Sequence, residues 1–419
     1  MSEKYFIVTK NHIVKAKNKT QAKALVDGDD DFLGSVMADD LNIKEVSYSD
    51  AVSHFGVSSS VDLDMYDVPE DAYEEEMINI SPSSEIHTST IDYLRSENRR
   101  LARSVDKLKN VRGEASNVVY QAAYDAFSNF DLPKINKPSF SKSTKASETA
   151  VAVLSDWQLG KITPTYNSDV LAKRMEIYTE KLLEITEIQR AHHPVKNLHV
   201  WILGDIVEGE EIFPGQSHLI DSGIYRQVGI NGPKILSKFF QTALENFEHV
   251  HVTAVIGNHG AVGGRMRKQH DPETNMDRLL YKICELIFES EDRISFNIPD
   301  GKGERNWYAI DHIGTYGTLL IHGDQLPHPS SVNGYYKKIM GWKDGAIPEP
   351  FDDVFMGHYH QQAKMTLGST VLRVSGSPES YNTYAQEYFH SMSRPCQHLM
   401  FVHPENGVTS EYSIWLDAV

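Results

Sequence analysis

Val354-Phe355-Met356-Gly357-His358-Tyr359-His360 is a short apolar run that ends, across one glycine, in two histidines one residue apart. The same arrangement recurs upstream. Residues 151–154 lead into Ser155-Asp156-Trp157-Gln158, 199–203 into Gly204-Asp205, 252–256 into Gly257-Asn258-His259, and 318–321 into His322-Gly323-Asp324. Short apolar runs bounded by turn residues fit strands buried on both faces, and layered α/β proteins build their sites at the carboxyl ends of such strands. Residues 168–191, between the first two runs, read as a helix with Ser168 as N-cap and Pro194 beyond its end.

Carboxylate, amide oxygen and imidazole are the donors offered at these strand ends, and no thiolate is among them. That set suits Mn, Fe or Zn, or Mg on the carboxylates. Two such ions sharing a bridging carboxylate hold a phosphate, activate a water and stabilise an in-line displacement. Each residue alone has an ordinary reading. His322 fits a satisfied buried histidine, Asp205 a turn residue or helix cap, Asn258 a left-handed turn residue and Asp156 a cap. Five such endings in order, each after an apolar run, are not explained one at a time.

The order D-x-(H), GD, GNH, HG, GHxH, carried here over about residues 149–380, resembles the calcineurin-like metallophosphoesterase superfamily. The sharpest parts are Gly257-Asn258-His259 and Gly357-His358-Tyr359-His360. The resemblance implies a four-layer α/β/β/α sandwich. It implies one ion held by Asp156, the residue at 158, Asp205 and His360, and a second held by Asp205, Asn258, His322 and His358. It implies that His259 steadies the transition state and assists the leaving oxygen, general acid work that suits an imidazole near neutral pH. Two positions depart from the pattern. Position 158 is Gln where His is usual, a weaker neutral ligand, and Mn is the expected ion. Gly260 stands where an acidic residue often follows the histidine, so His259 is expected to lack its orienting carboxylate.

The stretch 155–161 and the stretch 204–209 are similar to those of bacteriophage-encoded phosphoesterases, some also with Gln at this place, which are themselves similar to the nuclease subunit of bacterial double-strand-break repair complexes. That implies a DNA exonuclease or endonuclease. Local features point the same way. Arg265, Arg267 and Lys268 follow the GNH motif on a glycine-rich stretch suited to grip phosphates. The insertion before the GHxH motif interleaves Tyr335, Tyr336 and Trp342 with Lys337, Lys338 and Lys343, a composition that stacks bases and neutralises backbone. Two other readings stay open: a phosphatase or small-nucleotide phosphodiesterase, and a scaffold that keeps the fold without turnover.

Ahead of the catalytic domain (149–419), residues 1–55 read as a small α+β appendage, with alternation at Tyr5, Ile7, Thr9 and Ile13, Lys15, Lys17, a helical stretch at 20–26 and a strand near 43–48. Residues 56–86 form an acidic linker inside a stretch, 45–94, without Lys or Arg. Residues 87–130 read as a helical arm. Ile91, Leu94, Asn98, Leu101, Val105 and Leu108 make a short a/d seam, either a homodimer coil or a face packed on the chain's own catalytic domain. A second linker spans 131–148. The formal net charge of −17 excludes a protein whose whole surface grips nucleic acid, and leaves room for a local patch beside cations. No apolar run is long enough to cross a bilayer, and the first residues do not read as a signal peptide. Cys284 and Cys396 fit two reduced thiols, so a cytoplasmic protein, in a host cell if phage-encoded, is expected.

Overall fold

The computed structural model describes residues 4–9, 12–16, 44–46, 100, 118, 120–124, 135–140 and 147–417, the last apart from 214, 263–271, 300–306, 327–331 and 382–393. The chain divides into two compact units, Met1–Ser89 and Thr90–Val419. In the first, β1 (Lys4–Thr9), β2 (His12–Ala16) and β3 (Lys44–Val46) form an antiparallel sheet in the order β2-β1-β3, with Tyr5 opposite both Lys15 and Val46. The expected helix at 20–26, the acidic linker 56–86 and the a/d seam of 91–108 lie outside the described residues, save that Arg100 is helical.

The second unit holds two sheets. Sheet I has β4 (Glu148–Leu154), β5 (Val195–Ile202), β6 (His249–Ala254) and β7 (Ile294–Asn297) in parallel. Sheet II begins with β8 (Tyr308–Ile313) and β9 (Tyr316–Ile321), continues through β10 (Asp353–Met356), and ends in β11 (Ala363–Leu367) and β12 (Thr370–Val374), in the order β11-β12-β10-β9-β8. The chain then returns to sheet I with β13 (Cys396–His403) and β14 (Gly407–Trp415), so that sheet reads β14-β13-β4-β5-β6-β7. All five apolar runs singled out in the sequence are strands of these sheets.

Three apolar layers show how the sheets stack. Val151, Val153, Trp201 and Leu203 of sheet I meet Ala309, Leu320 and Phe355 of sheet II, with Trp201 edge-on to Phe355 at 5.9 Å. The other face of sheet I is covered by α1 (Ser168–Arg190), α2 (Gly232–Asn246) and α3 (Met276–Ile287). The other face of sheet II is covered by α4 (Val332–Gly341), through Tyr335 and Ile339. The result is the four-layer α/β/β/α sandwich. Helix α1 buries Leu171, Met175, Tyr178 and Leu182, spaced by three and four residues as one face of a helix requires. Its N-cap is Asn167, not Ser168. The Asn167 carboxamide oxygen accepts from Val170 N at 2.9 Å, while Ser168 is turned to Asp221. Among the described residues no helix is long and apolar enough to cross a membrane. Cys284 and Cys396 are buried, unpaired thiols.

Candidate metal centre

The carboxyl ends of β4, β5 and β6 in sheet I and of β9 and β10 in sheet II come together at one end of the sandwich. His322 Nδ1 donates to the Leu203 carbonyl at 2.8 Å, and His358 N donates to Asp156 Oδ1 at 3.0 Å, so each sheet is tied to the other by residues just past a strand. The backbone there is under strain. Six non-glycine residues among those described have positive φ, and five are Asp156 (53°), Gln158 (48°), Asp205 (52°), His358 (72°) and His360 (55°). Left-handed backbone is costly for residues with a Cβ and persists where surrounding structure enforces it, typically at functional sites. Here the cost falls on five of the seven residues picked out in the sequence as ligands.

Those seven side chains form one continuous cluster. Asp205 Oδ2 lies 3.1 Å from His322 Nε2 and 3.3 Å from Gln158 Nε2, which places it between the two halves. On one side, His360 Nε2 is 3.3 Å from Gln158 Nε2 and 3.5 Å from Asp156 Oδ1. On the other, His322 Nε2 also faces Asn258 Oδ1 at 3.0 Å and His358 Nδ1 at 3.2 Å. Among the described residues, Asp205, His322 and His358 offer ligand atoms that all lie within 4.8 Å of one another, the spacing for one ion. Close approach explains a glycine: a Cβ on Gly257 would lie 2.1 Å from Asp205 Oδ1.

The donor chemistry fits a cation. Because His322 Nδ1 carries the hydrogen given to Leu203, the Nε2 lone pair points at three other ligand atoms, an arrangement that needs a positive charge among them. Gln158 is fully buried, its Nε2 faces Asp205 and His360, and its Oε1 has no hydrogen-bond partner, so turning the carboxamide over would present that orphaned oxygen to a cation. With protons as the only cations, burial disfavours the charge on His322 and His360, yet Asp205 beside the first, and Asp156 with Glu379 beside the second, push each up to about 10. Asp205 is itself held well below the carboxylate range, against its burial, by His322 and His259. His358 is pulled down to about 3 by burial and by His322, so it is a neutral donor.

His259 stands at the edge of this cluster, with Nε2 4.0 Å from Asp205 Oδ2. Its backbone N donates to Asp205 Oδ1 at 2.7 Å. The expectation that it lacks a carboxylate is wrong. Glu208 provides one, with Oε2 3.3 Å and its carbonyl oxygen 3.0 Å from His259 Nδ1. Position 260 has no room for an acidic side chain, since a Cβ there would lie 2.6 Å from Asn275 Oδ1 and 2.8 Å from Asp277 N.

Sequence reasoning missed three further residues. Asp277, at the start of α3, is fully buried and takes four backbone N–H groups, from Asp205, Ile206, Val207 and Gly257, at 2.9–3.1 Å. It clamps the loop after β5 to the loop after β6. Glu379 and Lys161 stand behind His360, with Glu379 Oε2 2.9 Å from His360 Nδ1 and Lys161 Nζ 2.7 Å from Glu379 Oε1.

No protein-family model and no curated protein matches the chain. Among solved structures it is similar to Vps29 of Cryptosporidium parvum, at 13% identity over 64% of this chain and 99% of that one, with a TM-score of 0.30. It is similar to an archaeal phosphodiesterase at 14% identity over 63% and 99%, TM-score 0.29. It is also similar to a hypothetical protein of Pyrococcus horikoshii at 14% identity over 64% and 89%, TM-score 0.33.

The expected substrate-binding residues fare unevenly. Arg265, Arg267 and Lys268 lie outside the described residues. Lys337 and Lys338 are exposed on α4, and Lys338 Nζ donates to the Gln325 carbonyl at 2.7 Å, in the loop that follows His322. Tyr336 is exposed as well. The other members of the aromatic and basic series serve the fold. Tyr335 is buried in the core under α4, Trp342 packs on Trp307 at 5.4 Å, and Lys343 Nζ donates to Thr370 Oγ1 at 2.7 Å.

Proposed function

We propose that this chain is a hydrolase of phosphodiester bonds that uses two divalent ions, Mn foremost, and acts on DNA as a nuclease. The observation that supports it most is one continuous cluster of seven ligand-type side chains with Asp205 between its two halves, five of the seven on strained backbone. Asp156, Gln158 and His360 would hold one ion, Asn258, His322 and His358 the other, and Asp205 both. Ions so held supply an activated water and neutralise the phosphoryl oxygens.

The chain's own residues do the rest. The Glu208 carbonyl accepts the Nδ1–H of His259 at 3.0 Å, with the Glu208 carboxylate 3.3 Å from the same nitrogen, leaving Nε2 turned to the centre. Burial opposes charge on this imidazole, but Asp205 and Glu208 push it up to about 9, so it carries a proton for the leaving oxygen. Asp277 holds the Asp205 and Gly257 backbones in place before substrate arrives, the kind of preorganisation on which charge stabilisation depends. A nucleic-acid substrate is favoured by Tyr336 and Lys337 exposed on α4, in a helix tethered by Lys338 to the loop after His322. The test is Mn-dependent cleavage of single- and double-stranded DNA beside a small diester. Cleavage of the small diester alone would make the substrate a nucleotide.

A further inference from the structure

Gln158 gives the Asp156 side of the cluster a neutral amide, which leaves His360 as the one imidazole of that half. Behind His360 runs a line of two buried charges. Glu379 Oε2 meets Nδ1 at 2.9 Å, and Lys161 Nζ meets Glu379 Oε1 at 2.7 Å. Both side chains are largely removed from water, at 2% and 16% exposure, which in a structure with an orphaned charge would be costly.

The backbone on either side is pinned. Ser377 Oγ donates to the Asp156 carbonyl at 2.6 Å and accepts from Glu379 N at 2.9 Å, while Thr163 Oγ1 donates to the Ser380 carbonyl at 2.7 Å. Lys161 N donates to the Gln158 carbonyl at 3.0 Å, and Lys161 bridges to Ile220. One tight turn thus carries both the neutral ligand Gln158 and the lysine that backs the opposing histidine.

We propose that Glu379 and Lys161 are positioning residues that fix the Nδ1–H tautomer of His360 and raise its donor strength, which offsets the neutral Gln158 and sets the affinity of that half of the centre for its ion. The proposal rests on the two-ion reading above. A carboxylate on the far nitrogen orients a ligating imidazole and makes it more basic, and loss of such a partner typically lowers metal affinity about 10–100-fold. Lys161 holds the second oxygen of Glu379 at 2.7 Å and so keeps the first aimed at His360.

The experiment is titration of chelator-treated full-length protein with Mn(II), read by calorimetry and by the electron paramagnetic resonance of free Mn(II), for wild type, Glu379→Gln, Lys161→Met and Lys161→Arg. Expected are two sites in wild type, with one weakened about 10–100-fold in Glu379→Gln and in Lys161→Met. The other site stays unchanged, and Lys161→Arg recovers most of the loss. An unchanged two-site isotherm in Glu379→Gln and Lys161→Met overturns the proposal and leaves the two-ion reading standing. Equal loss at both sites, in step with a lower melting temperature of the chelated protein, overturns it in favour of a purely structural pair. A wild-type chain that takes up no Mn(II) overturns the two-ion reading itself.

Discussion

Glu208 reaches back to the imidazole of His259, three residues after Asp205 in the chain and 3.3 Å from Nδ1 in space. The anion favours the charged ring, and its removal lowers the pKa of His259. A general acid works only while protonated, so its activity is lost as pH rises through its pKa. Glu208→Gln should therefore move the basic limb of the kcat profile to lower pH and reduce kcat by about 10-fold or more. A profile that keeps its basic limb would remove His259 from the acid role.

Proton release should accompany metal uptake. His322 and His360 are each pushed up to about 10 by neighbouring carboxylates, against their burial, so below that pH both rings hold protons that an ion must displace. Apparent Mn(II) affinity should rise with pH between about 6 and 9, with protons released at pH 7. Calorimetry in two buffers of different ionisation enthalpy measures that number directly. Equal apparent heats in the two buffers would contradict it.

The clamp at Asp277 should be costly to lose. Asp277→Asn sets an amide N–H against the Asp205 and Gly257 donors, leaving buried groups unpaired at a cost on the order of 3 kcal/mol. Denaturant unfolding of chelated protein would show it, and a change under about 1 kcal/mol would mean the loops hold without it.

Most of the frame was legible in the sequence because it depends on local pattern. Five apolar runs became five strands, and the side chains of the site come one to four residues past them. What was not legible depends on folding at long range. Glu379 lies 19 residues beyond His360 in a segment without any motif, and only the return of the chain past Asp156, through Ser377, brings it there. Asp277 resembles an ordinary first-turn acid of a helix, and its four N–H partners come from two distant loops. Glu208 lies in the 204–209 stretch, where nothing in the linear sequence marks its partner, and His259 is 51 positions away. The cap at Asn167 was misplaced by one residue because both Asn and Ser cap well, and the aspartate that engages Ser168 is 53 positions away.

Substitution of Lys337 tests whether the substrate is a polynucleotide or a small molecule. It is exposed on α4, while its neighbour Lys338 is tied to Gln325. Lys337→Ala should weaken binding of single-stranded DNA and lower the slope of log K against log salt by about 0.7. The kcat/KM for bis-p-nitrophenyl phosphate should stay the same. Identical salt slopes for both proteins would place the polynucleotide path elsewhere.

The central claim is most directly tested by hydrolysis of labelled linear single- and double-stranded DNA by Mn(II)-loaded protein, with Asp205→Asn and His259→Ala in parallel. DNA cleavage by wild type, abolished by chelator and reduced at least about 100-fold in both variants, is the result expected of a bridging ligand and a general acid. No turnover of DNA or small diester by pure protein shown to hold two ions, or cleavage that survives in Asp205→Asn, would contradict it.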